Sequence, residues 1–488
     1  LPFSLSLVNP AGGSRALAMG LSSAVTWWEE WQLRILPPVY TECKCEDYVR
    51  AAKRCVVDTP VYTECKCDMN RMFVDQYAPY SVRIEGLTSF LKLDYKDAYS
   101  ELQKGLGKTF DGMYTRVGSI NTGLGAGSFL LLPFLALASI VLFATSGKDG
   151  QNEKDIRVTY ILLCSTTVLE LWYPLLLFLY LLDPCIFNFF NGPFEGWHDM
   201  ASQHNIMSLC VRKKKPTFLM KVATFNFLRE LVNQHLYIQQ VPIAYQITGT
   251  VRRHMEDGWK EYIRDPASYK SFSALRGQLA LRMHHHQLAW SLKMPFDESV
   301  LVWHVARDLC FYQPNTSAQC QQGEAKQRGR EISNYMFYLL LIRPEMLMLG
   351  AKSYLVTLAS DKIVENSKGL LEPTEESLAR EIFNLSPSAP DMVSNACKLA
   401  KALMELGGDE RWTLIQGVWV EMLCYSASRC RGYLHAKSLG DGGECLTYIY
   451  LLWSFMGMET LADRHHMSEP LPFDSQGRHG QSAEGDMP

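Results

Sequence analysis

The chain has 488 residues, 47% of them hydrophobic, and 51 acids against 48 bases. That length has room for two or three domains and that apolar content fills their cores, while the near balance of charge excludes a global field that would collect nucleic acid. Fourteen cysteines in so long a chain, most of them single and in apolar surroundings such as Cys164, Cys310 and Cys397, exclude a small secreted disulfide framework and read as reduced, buried thiols.

The sequence begins at Leu1, and residues 1–24 are expected to be a disordered or non-native extension, with Met19 as an alternative start. Arg15 is the one base before Trp27, too few for a transit peptide. Residues 27–36 (WWEEWQLRIL) have the aromatic, amphipathic make-up of an approach to a membrane, yet no apolar run follows. Instead the octet PVYTECKC at 38–45 recurs at 60–67, an offset of 22. Its Cys43, Cys45, Cys65 and Cys67 form two Cys-x-Cys pairs, and four soft thiolates suit zinc. Common fingers leave two to four residues between ligands, so a local duplication or a gene-model junction is preferred over a metal site. Residues 25–117 as a whole are expected to form a soluble N-terminal region, with helical spacing in Leu87, Phe90 and Leu91.

Two apolar stretches dominate the chain between residues 118 and 182. Residues 124–144 are 21 in number and uncharged, matching the roughly 20 that a helix needs to cross a ~30 Å hydrocarbon core. Residues 158–182 hold 14 Leu, Ile, Val and Phe residues around a central Glu170. At roughly 0.3–0.6 kcal/mol per apolar residue against roughly 3 for a central acid, the apolar side wins. Both read as transmembrane helices, at 118–145 and 158–182, joined by a charged loop at 146–157. The glycines at 123, 125 and 127 lack the strand and Lys of a phosphate loop and read as helix-packing residues. Glu170 invites a proton relay or ion site; a protonated or hydrogen-bonded packing role is the commoner outcome for such a group. Pro174 is expected to kink the same helix.

Beyond the second stretch, Arg212, Lys213, Lys214 and Lys215 fit attraction to an anionic leaflet, which places the flanks in the cytosol. Residues 183–330 read as a helical cytosolic region. Asp297 is expected to cap a helix bearing Val300, Leu301, Val305 and Leu309, with Trp303, His304, Arg307 and Asp308 around that face. His304 and Asp308, four apart, could act as an acid–base pair, although pairing on a helix surface is commoner. His284, His285 and His286 splay by about 100° each on a helix, so they cannot jointly hold one ion. Residues 323–330 read as a polar hinge, 335–342 as a core helix or an in-plane segment stopped by Pro344, and 365–390 as a linker within a 331–390 segment. Asp391 opens a helix that ends at Gly407 and Gly408, beginning a C-terminal helical domain over 391–460. There Trp412, Ile415, Trp419, Met422 and Leu423 make one arm of a hairpin and 445–458 the buried second arm. Residues 461–488 read as a disordered tail.

Several of these stretches resemble a plant family, abundant in grasses, of membrane proteins that combine the domain of unknown function numbered 4220 with a C-terminal domain of unknown function numbered 594. The resemblance covers residues 28–36, 80–114, the apolar pair with TYILL at 159–163, FDESVLVWHVARDLCF at 296–311, ISNYMFYLLLIRP at 332–344, 396–403, and 419–452 with VWVEMLCYSASRCRG and HAKSLGDGGE. The family places further membrane helices after the WEEWQLRIL-like start, so the cysteine repeat here implies a truncated or mis-spliced product. It supplies no reaction.

The expected architecture is therefore mainly α: two transmembrane helices and a helical cytosolic region ending in a helical hairpin, in an integral membrane protein. No nucleophile elbow, Walker loop, dinucleotide fingerprint or HExxH helix is present, and no catalytic residue or cofactor is assigned. The leading functional expectation is a non-enzymatic scaffold or signalling-associated protein whose partners are the bilayer and other proteins. The alternative is a membrane enzyme or transport component using Glu170, or a polar cluster drawn from His304, Asp308, Glu421, Arg431 and His435; convergence of these on one pocket would separate the two readings.

Overall fold

A computed structural model describes residues 45–57, 69–114, 123–147, 152–182, 197–215, 238–281, 286–313, 323–370, 373–384 and 391–468. It is mainly helical, with a short antiparallel strand pair, Ala201–Gln203 against Gln239–Val241, in which Ser202 faces Gln240.

The body is organised around the helix Phe296–Phe311, of which only Glu298 and Phe311 escape burial. Helix Met392–Met404 packs on one side of it, helix Glu324–Ile342 on another, and Glu375–Asn384 closes a third. A helix enclosed on every side cannot be amphipathic, so Trp303, His304, Arg307 and Asp308 lie inside the core rather than on the polar surface expected for them. Asp297 is not the cap: the helix starts one residue earlier, and Asp297 accepts the amide of Lys352 at 3.1 Å. The 323–330 stretch is no hinge, because Gly323 is the N-cap and the polar residues form the first two turns of the 324–342 helix. Helix Glu375–Asn384 likewise occupies part of the expected linker, burying Leu378, Ala379 and Ile382. Asp391 does cap its helix, accepting from the Ser394 amide at 2.7 Å.

The C-terminal region consists of helix Gly408–Arg429, the short helix Gly432–Gly440, and Cys445–Phe455, which returns against the first. The turn before the last helix uses Gly442 and Gly443 at φ 102° and 86°, a left-handed conformation that glycine adopts without a steric penalty. The expected disordered tail is corrected over its first turns, since helix Leu461–Ser468 carries a buried Asp463. Residues 469–488 lie outside the described residues.

The N-terminal helices join this body instead of forming a separate unit. Tyr450 donates to the Met72 carbonyl at 2.8 Å, Asp75 accepts from the Gly432 amide at 2.6 Å, and Phe90 stacks on Phe455 with centroids 5.0 Å apart.

The two apolar stretches form a helical hairpin, Gly123–Thr145 against Glu153–Leu182. Less exposed positions recur every three or four residues: Pro133, Ala136, Ile140 and Phe143 on the first helix, and Tyr160, Leu163, Thr167 and Glu170 on the second. These stripes face each other, with Phe143 and Tyr160 packed edge to face at 5.0 Å. Among the described residues, however, no helix is long and apolar enough to cross a membrane. Side chains of the first are described over 131–145 only, while the second opens on Glu153, Lys154, Asp155 and Arg157. The fold thus establishes the mainly α architecture and a hairpin, and leaves the two expected spans without support.

Candidate functional site

The five polar residues singled out from the sequence fall into three separate places. His304 and Asp308 share a fully buried cluster. Asn205 ties it together: its Oδ1 caps helix Ile206–Lys214 by accepting from Met207 and Ser208, while its Nδ2 donates to both Asp308 oxygens at 3.0 and 2.8 Å. Arg307 donates to Asp308 through Nη1, and through Nη2 to Asn334 Oδ1 at 2.6 Å and Ser333 Oγ at 3.1 Å.

The His304 ring is held at both nitrogens by these neighbours. The Ile206 amide faces Nε2 at 3.3 Å, and Nδ1 faces Ser333 Oγ at 2.9 Å, the Ser333 carbonyl at 3.2 Å and Arg307 Nη2 at 3.2 Å. His304 Nε2 and Asp308 Oδ2 are 3.7 Å apart, beyond hydrogen-bond distance. Burial, then the neighbouring Arg307, hold the imidazole well below its ordinary pKa and hence neutral. Burial raises the Asp308 carboxyl against the opposing pull of Arg307. The imidazole is fully buried and stacked on Phe337 at 4.2 Å, and the carboxylate is engaged by Arg307 and Asn205, so neither group is open to a substrate. The pair expected as acid and base is a structural lock.

Glu421 lies elsewhere, buried in helix Gly408–Arg429. Its carboxylate accepts the amides of Gly277, Leu279 and Ala280 at 2.8, 3.1 and 2.6 Å, capping the helix Gln278–Leu281 from a distance. Burial raises its pKa from 4.5 to about 7, although the three amides pull it down. Between those two values the native state binds the proton more tightly than the unfolded chain, so stability is greatest at low pH and falls as pH rises toward 7. A drop of about 3 kcal/mol is expected between pH 4.5 and 8, seen as a falling melting temperature. Glu421→Gln should melt lower and lose that slope; an unchanged slope in the variant would assign the pH dependence to another group.

His435 and Arg431 occupy the third place. The buried His435 ring stacks on Tyr450 at 4.2 Å and contacts Thr447 Oγ1 at 3.1 Å; burial lowers its pKa to about 3. Arg431 is the N-cap residue of helix Gly432–Gly440 and is exposed. The expected cluster therefore does not converge. Two shallow surface depressions, one lined by Glu261, Arg264 and Asp265, the other by Asp94, Arg252 and Arg328, include none of these five residues.

The basic run sits in the last turn of helix Ile206–Lys214, where cations complement the helix dipole. Lys213 binds Ser360 Oγ at 2.7 Å and Asp361 at 2.9 Å, and Lys214 donates to the Ser367 carbonyl. Two of the four bases are thus turned onto helix Tyr354–Asn366. Of the cysteine set, Cys45 opens helix Cys45–Val57, half-buried, while Cys43, Cys65 and Cys67 lie outside the described residues. Among the described residues no group of three or more His, Cys, Asp or Glu could hold a metal. Glu170 is half-buried on the inner stripe of the hairpin.

A mainly helical body with interlocked N- and C-terminal parts, together with an apolar helical hairpin, defines the class. Residues 39–230 match the family model described as Domain of unknown function (DUF4220), and residues 404–458 match that described as Protein of unknown function, DUF594. The chain thus carries both domains, the first toward its N-terminal side and the second toward its C-terminal side. No curated protein and no solved structure matches it.

Proposed function

We propose that this protein is a membrane-anchored, non-enzymatic scaffold: the hairpin sits in a lipid bilayer as two spans, and the helical body, on its cytosolic side, presents surfaces to other proteins. The observation that carries the anchor is the distribution of exposed apolar side chains. Among the described residues, 14 of the 22 large exposed ones belong to the hairpin, a concentration on two helices instead of the single scattered residues normal on a water-facing surface. Leu135, Leu142, Ile161 and Leu169 are 60 to 69% exposed and point away from the stripe that pairs the helices. The uncharged run 124–144 extends this apolar surface in sequence. Dispersal of the five polar residues over three separate places supports a body built for shape over one built for turnover.

The test is alkaline extraction of membranes that contain the full chain. The native chain should stay in the pellet. Leu135→Lys, Leu142→Lys, Ile161→Lys and Leu169→Lys together should release it, because each central Lys costs about 2.5–3.5 kcal/mol. Release of the native chain at high pH would overturn the anchor.

A further inference from the structure

We infer that helix Gly432–Gly440 lies against the headgroups of the bilayer at the root of the hairpin and takes the phosphates of anionic lipid through Arg431 and Lys437. This rests on the proposal that the hairpin sits in lipid, and adds which face of the body meets the membrane and what chemistry it recognises.

The chain leaves the body toward the hairpin at Tyr114 and returns at Trp197. Both belong to one corner: the Phe110 ring is 5.5 Å from Tyr114 and 5.1 Å from Trp197, and Gln103 Nε2 donates to the Trp197 carbonyl at 2.7 Å. The shorter link, residues 115–122, has eight residues and reaches at most about 28 Å when extended. That corner is therefore held close to wherever the hairpin enters lipid.

Helix Gly432–Gly440 forms the edge of the same corner. The Tyr114 hydroxyl donates to the Ala436 carbonyl at 2.9 Å, and a Cβ on Gly440 would lie 2.6 Å from the Tyr114 ring. A Cβ on Gly443 would collide with the Trp197 indole, so the glycine turn admits that ring. The outward positions of the helix are Arg431, Tyr433, Lys437 and Gly440. Tyr433 is 52% exposed and Tyr114 48%, two amphipathic rings beside the hairpin's root, where a membrane interface favours them. No acid occurs from 431 to 440. Of the acids nearby, Asp75 is engaged by the Gly432 amide, Asp441 pairs with Arg343 at 2.9 Å, and Glu345 lies near Cys430. Within 431–440 the charged side chains are Arg431 and Lys437, both outward and both basic, which complements an anionic leaflet.

The experiment uses the full chain in vesicles of phosphatidylcholine alone and of phosphatidylcholine with one quarter phosphatidylserine, with an environment-sensitive fluorescent amino acid encoded at position 433. Spin-labelled lipid carrying its label at headgroup depth should quench it, more strongly in the anionic vesicles, and high salt should abolish that increment by screening. Arg431→Glu with Lys437→Glu should lower the anionic increment by at least about fivefold, the worth of one base near such a surface, while resistance to alkaline extraction stays unchanged. Retention of the chain with no quenching in either vesicle would overturn this inference alone and turn the face toward water or a protein partner. Release of the native chain by alkaline wash would overturn the hairpin anchor and this inference with it.

Discussion

Asp308→Ala is expected to lower the melting temperature of the full chain by roughly 5–10 °C, the equivalent of about 3–5 kcal/mol. The loss does not come from the pair itself, whose Coulomb attraction is largely offset by desolvating both ions. It comes from what is left behind: Arg307 charged and fully buried, with Asn205 Nδ2 deprived of two acceptors. Burial already depresses the Arg307 pKa, and Asp308 is the strongest opposing influence. Replacing both partners by apolar residues, Arg307→Met with Asp308→Leu, should restore much of the loss, because no orphan charge remains. Differential scanning fluorimetry in detergent would read both. A melting point within a degree of the native value for Asp308→Ala would mean that the network at 304–308 holds nothing in place.

That network also marks the boundary of what could be read from the sequence. Spacing within one helix was legible: His304 and Asp308 are four apart and do face each other, and the cap at Asp391, the stop at Pro344 and the glycine turn before Cys445 all follow from local backbone chemistry. The residues that decide what the pair does were not legible as its partners. Asn205, Ser333 and Asn334 come from elements about 100 residues before Asp308 and about 25 after it, and no periodicity brings them together. Without them, a helix surface and a helix core look alike, which is why the polar face expected around Trp303 is an interior. Glu421, Arg431 and His435 fail to converge for the same reason: proximity in sequence on two consecutive helices does not fix the side to which each points. The strand pair is three residues long on each side, too short for an alternating pattern to stand out. The hairpin shows the reverse case. Its apolar composition was plain, but composition cannot say whether such residues are covered; only the structure shows them bare.

Asp463→Ala should have an effect of the same size at a second buried lock. The tail helix Leu461–Ser468 is polar in composition, and nothing in its pattern announces a docked element. Yet Asp463 meets Arg83 at 3.1 Å with both side chains nearly inaccessible. The carboxylate also accepts the amides of Ala78 at 3.1 Å and Thr460 at 2.9 Å. Arg83 in turn donates to the Ala78 carbonyl at 2.9 Å and lies over the Tyr80 ring at 5.0 Å. Burial opposes the Arg83 charge most strongly, but Asp463, Tyr269, Tyr48 and Glu459, in that order, together hold the guanidinium pKa above its ordinary value. Removing the carboxylate therefore strands a buried cation and two buried amides, at about 3–5 kcal/mol. Because this lock and the one at Asp308 share no partner, the losses in an Asp308→Ala, Asp463→Ala double variant should add to within about 0.5 kcal/mol. Hydrogen exchange at the Ala78 amide gives an independent reading and should accelerate in Asp463→Ala alone. If protease sensitivity rose within 459–468 while the melting temperature and the Ala78 amide stayed unchanged, the tail would be a dispensable strap, and the union of the N-terminal helices with the C-terminal region would have to rest on Phe90 against Phe455 and on Asp75 at Gly432.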